Sequence, residues 1–411
     1  MPRPTGEKEA TGELHPPFLR SGKVVSNRWK ISHRLGAGTF GEVYAADDRE
    51  LKTTVALKIE LNNVANEEGL LKMEVEVLKE LASRPHTPQL FASGKRAAFT
   101  YIVISRCGID LHKVKKESGI PHLSDATVLR LAVHALYAMK QVHEIGYLHR
   151  DVKPSNMVFG ATVVDSKILY LIDYGLARRY AEKDAKTGKW MFRKARDKAE
   201  VRGTSSRYCS LNIHLKSEQS RADDMWAFVY SMIDLGPGLP WPKQARDDRV
   251  QRMKEEISDE KMLGGKLECF QPIMAHIRKM KFYDRPDYKF IYEKLIESLK
   301  KKRVQFEDPY DWEGKSSSKN TGSWQASLHT ADGSDSGSAK ESQSNRNLSE
   351  KGAKKNPTSP SPVPQYPTIL TKHFEFQDSD VPSGDPKGPK MVPPSKRKGF
   401  VKKTVESEFL I

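Results

Sequence analysis

The chain has 411 residues, 37% of them hydrophobic and 30% charged, with a formal net charge of +16; it is long enough to bury a sizeable core. No apolar run reaches the roughly 18 residues a membrane helix needs, and the opening stretch MPRPTGEKEATGELHPP has no apolar centre of the kind a secretory signal requires, so the expected location is cytoplasmic, with the nucleus as an alternative. Cys107, Cys209 and Cys269 are scattered, which suits reduced thiols better than a disulfide frame or a zinc site.

In chain order, residues 1–25 read as a flexible arm. Trp29 to Leu35, Gly41 to Asp47 and Thr53 to Leu61 follow, rich in Val, Ile, Tyr and Thr and separated by Gly or charged residues, as an antiparallel meander requires. Leu71, Val75 and Leu78 then recur at helical spacing, and FTYIVIS at Phe99 to Ser105 is another strand. After Pro121, Ser124 is a candidate N-cap for a long helix with Val128, Ala132, Ala135, Met139 and Val142 on one stripe. DDMWAFVYSMIDL and FIYEKLIESLKK are further helical segments. Beyond Trp312 the composition turns to Ser, Gly, Asn, Lys and Pro, too little apolar surface to offset ordering entropy. The expected division is an arm at 1–25, a folded domain at 26–312 and a disordered basic, Ser/Pro-rich tail at 313–411. From Gly314 on there are 15 Lys and Arg against 10 Asp and Glu, so +5 of the charge lies in the tail and +11 before it.

The densest polar chemistry is YLHRDVKPSNMV, Tyr147 to Val158, directly after the long helix. An aspartate can orient a hydroxyl nucleophile and take its proton, a lysine two positions on can neutralise a transferring phosphate, and an asparagine carbonyl can hold a metal. Asp151, Lys153 and Asn156 suit these roles, although a polar loop after a helix is often only solvated. Partners for such chemistry occur elsewhere. LGAGTFGEVY places Gly36, Gly38 and Gly41 between two strands, where backbone amides can approach phosphate oxygens. VALK places Lys58 on the third strand, with Glu74 on the following helix as its partner, and LYLIDYGLA ends an apolar strand at Asp173, a second oxygen ligand for magnesium beside Asn156.

These motifs, in this order, resemble the eukaryotic protein kinase family over about Arg28 to Lys300, with DYG at Asp173 to Gly175 carrying Tyr174 where most members have Phe. The resemblance implies a bilobal α+β fold: a five-stranded antiparallel small lobe with one helix, a mainly helical large lobe, and ATP with Mg2+ in the cleft. Val43, Ala56 and Ile104 would line the adenine pocket, although Ile104 equally fits plain strand core. RGTSSRYCSLNIHLKSEQSRADDMW, with Ser210, Leu211 and Asn212 in place of the APE motif, and RPDY at Arg285 to Tyr288 are similar to the casein kinase 1 group. DDMW and KMEVEVLKEL look like its tau-tubulin kinase branch. One extra residue in GTSSRY departs from that pattern. By this resemblance Thr204 would bridge Asp151 and the peptide hydroxyl, Asp224 would anchor the catalytic loop, and Arg207 with Arg252 would form a phosphate pocket.

Between Arg178 and Arg202 ten basic residues face four acidic ones, so a basic groove would favour acidic or already phosphorylated protein substrates, unless much of the run is a solvated loop. The resemblance adds an expectation of activity without activation-loop phosphorylation, and of a monomer. TSPSP at Thr358 to Pro362 and SKRKGFVKK at Ser395 to Lys403 are candidate modification and address signals. Two other classes of function stay open: a scaffold that binds nucleotide without catalysis, and a protein whose basic tail contacts microtubules or another anionic surface. Nucleic acid is the less fitting partner, because no nucleic-acid motif accompanies the charge.

Overall fold

The computed structural model describes residues 18–38, 41–62, 69–162, 164–198, 205–313 and 371–391. The strand Thr53–Leu61 (β4) shows how the small lobe is divided, because successive side chains of a strand go to opposite faces. Val55, Leu57 and Ile59 join Trp29, Ile31, Tyr44 and Val103 in an outer cluster. Ala56, with Ile102 and Ile104, faces the other way and belongs to the core that continues into the large lobe.

The sheet is antiparallel with strand order β1-β2-β3-β4-β6-β5. Its members are Val24–Val25 (β1), Trp29–Ala37 (β2), Gly41–Asp48 (β3), β4, Leu90–Lys95 (β5) and Phe99–Ser105 (β6). The strand β5, LFASGK, carries no clear alternation and a glycine, which is why its pattern does not stand out. The expected free arm is packed from residue 18 onwards. Leu19 is buried in the outer cluster, its amide donates to Tyr44 Oη at 2.9 Å, and Val25 is buried in β1. The aromatic outer face of Tyr44, Phe99 and Tyr101 needs that cover.

The helix Leu70–Glu80 (α1) packs beneath the sheet. Its own sequence supplies no N-cap; the two carboxylate oxygens of Glu60 accept from Leu70 N at 3.2 Å and Leu71 N at 3.0 Å, satisfying orphan donors at the positive end of the helix. Leu71 and Leu78 are buried as the spacing predicts, but Val77 and Glu74 complete the buried face and Val75 is only partly covered.

In the large lobe, Ser124 caps Asp125–His143 (α3) by accepting from Thr127 N at 3.3 Å. Every residue from Thr127 to His143 is buried, so α3 is a central helix and has no solvent face. Arg130 within it is met internally: it donates to Pro309 O at 3.0 Å and lies over the Tyr310 ring. The remaining α-helices and strands of the described residues, in chain order, are Cys107–Asp110 (β7), Leu111–Glu117 (α2), Tyr147–Leu148 (β8), Met157–Gly160 (β9), Leu169–Leu171 (β10), Arg178–Arg179 (β11), Ala181–Lys183 (β12), Trp190–Phe192 (β13), Leu211–His214 (α4), Arg221–Leu235 (α5), Asp247–Glu256 (α6), Asp259–Leu263 (α7), Phe270–Lys279 (α8) and Tyr288–Lys301 (α9); α5, α9 and β10 pack around α3. Trp312 stacks on Tyr310 with ring centroids 4.7 Å apart, which closes the domain near its expected end.

One part of the expected disordered tail is packed. Phe374 stacks on Tyr292 of α9 (4.4 Å, 14°), and Val381 is buried among Leu148, Tyr180, Ala181 and Phe192. Two apolar anchors in a polar stretch leave no periodic signal for sequence reading to find. TSPSP and SKRKGFVKK lie outside the described residues.

His86 and His134 are buried with ring centroids 5.3 Å apart. Burial pushes them down to about 4 and about 3, respectively, so both are neutral in the folded protein when histidines of the unfolded chain protonate near pH 6.5. Stability is therefore full above pH 6.5 and falls towards pH 4, by about 1.4 kcal/mol per pH unit for each histidine. Urea unfolding between pH 7.5 and 4.5 should show this decline, and His134→Leu should make it shallower; parallel pH profiles for the two proteins would contradict the assignment.

Candidate active site

The loop after α3 is held by one carboxylate. Asp224, in the first turn of α5, accepts from His149 N at 2.7 Å and Arg150 N at 2.9 Å, and lies 3.0 Å from His143 Nε2. Burial opposes ionisation of Asp224; the His143 hydrogen bond and charge and the loop amides outweigh it and hold the carboxyl below its ordinary value. Arg150 sits at φ 69°, a left-handed conformation that costs a non-glycine residue energy and that these bonds stabilise.

Beyond that turn the three loop residues named from sequence meet. Lys153 Nζ lies 2.7 Å from Asp151 Oδ2, while Asn156 Nδ2 donates to Asp151 O at 2.9 Å and to Asp151 Oδ2 at 3.0 Å. With its nitrogen committed to the loop, the amide oxygen of Asn156 is the donor that a cation would use. Between the small and large lobes, Lys58 Nζ lies 2.7 Å from both Glu74 Oε2 and Asp173 Oδ1. Burial would lower the Lys58 pKa, but the two carboxylates win and raise it, so the ammonium stays charged. The Asp173 carboxyl is likewise penalised by burial and lowered by Lys58. Asp173 also has a left-handed backbone, φ 70°. Tyr174 is fully buried and donates its hydroxyl to Leu171 O at 2.6 Å, so the polar atom that replaces the usual Phe is satisfied locally.

The glycines of the β2–β3 turn have different reasons. A Cβ on Gly41 would lie 1.8 Å from Ile59 O, whereas a Cβ on Gly36 would meet nothing within 4 Å. Gly41 is thus required by close strand pairing. Gly36 and Gly38 are exposed, leaving backbone accessible as a phosphate cradle needs. Val43 stands opposite Lys58, and Ala56 opposite Ile104, in the sheet register. Ile104 is 9% exposed and belongs to the core cluster, so both of its readings fit.

Among the described residues no group of three or more His, Cys, Asp and Glu could hold a metal unaided. Asn156 and Asp173 suit a hard cation whose remaining ligands are phosphate and water oxygens. Thr204 lies outside the described residues. Arg207 and Arg252 are not joined by a contact: Arg207 pairs with Asp234 at 2.5 Å and donates to Trp241 O, whereas exposed Arg252, on Asp247–Glu256 (α6), pairs with Asp248. Cys107 is a half-buried thiol pushed up to about 12 by burial, unsuited to nucleophilic chemistry.

Sequence reasoning passed over Asp223 and Arg179. Asp223 forms a capping box with Ser220 and accepts from Ser210 Oγ at 2.5 Å and Asn212 Nδ2 at 3.3 Å; the S-x-x-D spacing of Ser220 and Asp223 is the signal that marks it. Arg179 binds Glu76 and Glu80 of α1 and the Tyr147 hydroxyl, and nothing local in the sequence reports such a long-range tie.

The family model for the protein kinase domain matches residues 29–310. The chain belongs to the protein kinase family. A putative serine/threonine-protein kinase of Caenorhabditis elegans is 36% identical over 306 residues, covering 74% of this chain and 86% of the relative. A putative casein kinase I of the same organism is 32% identical over 320 residues (76% and 92%), and an inactive tau-tubulin kinase, also from C. elegans, is 34% identical over 251 residues (59% and 86%).

Asp224 and Asp151 of this kinase domain are expected to fail differently. Asp224→Ala strands buried loop amides, each costing about 1–3 kcal/mol, and should lower thermal stability together with phosphoryl transfer. Asp151→Asn should leave the melting temperature nearly unchanged and cut the rate by about 10²-fold or more. Calorimetry beside a transfer assay checks both; a stable Asp224→Ala protein would remove the anchoring role.

Proposed function

We propose that the protein is a serine/threonine kinase of the casein kinase 1 group, acting on acidic or phospho-primed protein substrates without activation-loop phosphorylation. The observation that carries this reading is a pair of clusters: Asp151 with Lys153 and Asn156 in the loop after α3, and Lys58 of the small lobe with Glu74 and with Asp173 of the large lobe. The casein kinase I and tau-tubulin kinase relatives support the group.

In the proposed mechanism Asp151 accepts a hydrogen bond from the substrate hydroxyl and takes its proton as the oxygen bonds to the γ-phosphorus of ATP and the bridging P–O bond to ADP breaks. Lys153, beside Asp151, neutralises charge on the phosphoryl group in flight. Lys58, kept cationic by Glu74, places the ATP phosphates under the Gly36 to Gly41 turn, with Val43, Ala56 and Ile104 against the base. Asn156 and Asp173 would hold Mg2+, which supplies charge neutralisation at the phosphates. Thr204 is proposed to join Asp151 and the peptide hydroxyl.

Charge supports the substrate class. Lys183, Lys186, Lys189, Lys194 and Lys198 are exposed along the segment after β11 (Arg178–Arg179). Inside it, Arg193 and Arg196 share one carboxylate, Glu218, and burial, then neighbouring guanidiniums, press Arg178 down to about 10. Glu218 supplies this cationic cluster with an anion from the fold itself, which supports activity without an added phosphate. In the proposed priming pair of Arg207 and Arg252, substrate phosphate would replace Asp234 on Arg207.

The relative named inactive favours one competing reading, a nucleotide-binding scaffold. Transfer from labelled Mg-ATP to casein and to acidic, primed and neutral Ser/Thr peptides separates them: activity that disappears in Asp151→Asn supports the kinase, and ATP binding with equal background in both proteins supports the scaffold. Arg207→Ala should cost at least about tenfold more in kcat/KM on a primed peptide than on its unprimed form, a difference of about 1.4 kcal/mol; equal losses would rule out the priming pair.

A further inference from the structure

The segment 373–391 closes two buried polar sites that the kinase domain leaves incomplete. The first is a charge cluster. Lys140 and Glu144 at the end of α3 and Arg285 before α9 are all largely buried, with Arg285 Nη2 2.8 Å from Glu144 Oε1. Two cations then face one carboxylate. Asp380 supplies the second, 3.4 Å from Lys140 Nζ and 3.3 Å from Arg285 Nη2, and Glu144 Oε2 accepts from Val381 N at 2.7 Å. The second site is Arg221, the first residue of α5, which is 1% exposed and has no carboxylate partner among the described residues. It donates to Tyr180 Oη and Tyr283 O, and its other two bonds go to Val381 O at 3.0 Å and Pro382 O at 2.9 Å. Removing half the acceptors of a buried cation is costly.

The segment also grips the hairpin of Ala181–Lys183 (β12) and Trp190–Phe192 (β13). Phe192 N donates to Pro389 O at 3.3 Å and Met391 N to Phe192 O at 3.1 Å, a parallel bridge that adds a strand edge to β13. Gly384 lies against the Phe192 ring, so close that a Cβ there would come within 2.8 Å of it. This contact admits only glycine.

We infer that residues 373–391 are a built-in strap of the kinase unit, which completes the buried charge balance of the large lobe and positions the hairpin that follows DYG. The path to the chemistry is short. Arg285 stacks over Tyr288, Tyr288 Oη lies 2.6 Å from His143 Nδ1, and His143 contacts the Asp224 carboxylate that holds the catalytic loop. The strap makes none of the contacts described for Asp151, Lys58 or Asp173. Its action is positioning, and its segments are joined to the domain through the stretch 314–370.

The test inserts a specific protease site near residue 340 of the full chain, cleaves it, and follows the C-terminal fragment by gel filtration at low micromolar concentration. The fragment should co-elute with the kinase part, and Gly384→Val and Val381→Asp should each weaken its retention at least about tenfold. A wild-type fragment that elutes free, or variant fragments retained as tightly as wild type, would overturn the strap. The activity arm rests on the kinase reading: in the uncleaved variants kcat on casein should fall several-fold while the KM for ATP stays within about twofold. Released straps with unchanged kcat would overturn the positioning role. Co-elution in a wild-type protein that transfers no phosphate would leave the strap standing and defeat the kinase reading instead.

Discussion

One ammonium group joins the two lobes of this protein. Lys58 comes from the sheet, Glu74 from the helix beneath it and Asp173 from the large lobe, and both carboxylates lie 2.7 Å from the same nitrogen. Burial penalises each of these charges, and a buried ion set is weak evidence for stability in itself. Its value here is positional: three segments far apart in sequence are brought to one point at the cleft, where the Asp173 side chain is still 44% exposed to an incoming group. The helix that carries Glu74 is fixed at both ends by long-range charge, Glu60 at its N-terminus and Arg179 towards its C-terminus. With α1 so held, Lys58 has a partner of fixed position.

A second carboxylate pair organises the large lobe. Asp223 and Asp224 are adjacent, yet the helical turn between them sends one to Ser210 and Asn212 and the other to the His149 and Arg150 amides of the loop after α3. The S-x-N element and the DD pair are therefore two halves of one structural device. Both aspartates are buried at the N-terminal turn of α5: burial outweighs the hydrogen bonds to Asp223 and raises its carboxyl, whereas His143 and the loop amides hold Asp224 below its ordinary value. The loop beyond Asp224 can then hold Arg150 in a conformation it would not adopt freely.

Much of this was legible in the sequence, and what escaped did so for physical reasons. Three of the sheet strands and β6 follow from β-branched alternation, and order and spacing name Asp151, Lys153 and Asn156, which lie in one cluster, and Lys58, Glu74 and Asp173, which lie in another. The strand β5 lacks alternation, and α3 has no polar face because it is surrounded on all sides. The packed parts of the N-terminal arm and of the tail escape sequence reading for a shared reason. Composition averages over many residues, whereas Leu19, Phe374 and Val381 are single anchors whose burial depends on a surface built elsewhere.

The amino-acid sequence by itself determined the family and the lobe order, because each is encoded by local periodicity or by a short run of fixed chemistry. Only the tertiary structure decided which charges are spent on holding the fold. Arg207 is paired with Asp234, Arg179 ties down α1, and Asp380 balances Lys140 and Arg285 across more than 90 residues of chain. A charged residue reads alike in sequence whether it is solvated or buried; the difference lies in desolvation and in distance to an opposite charge, and both exist only once the chain has folded.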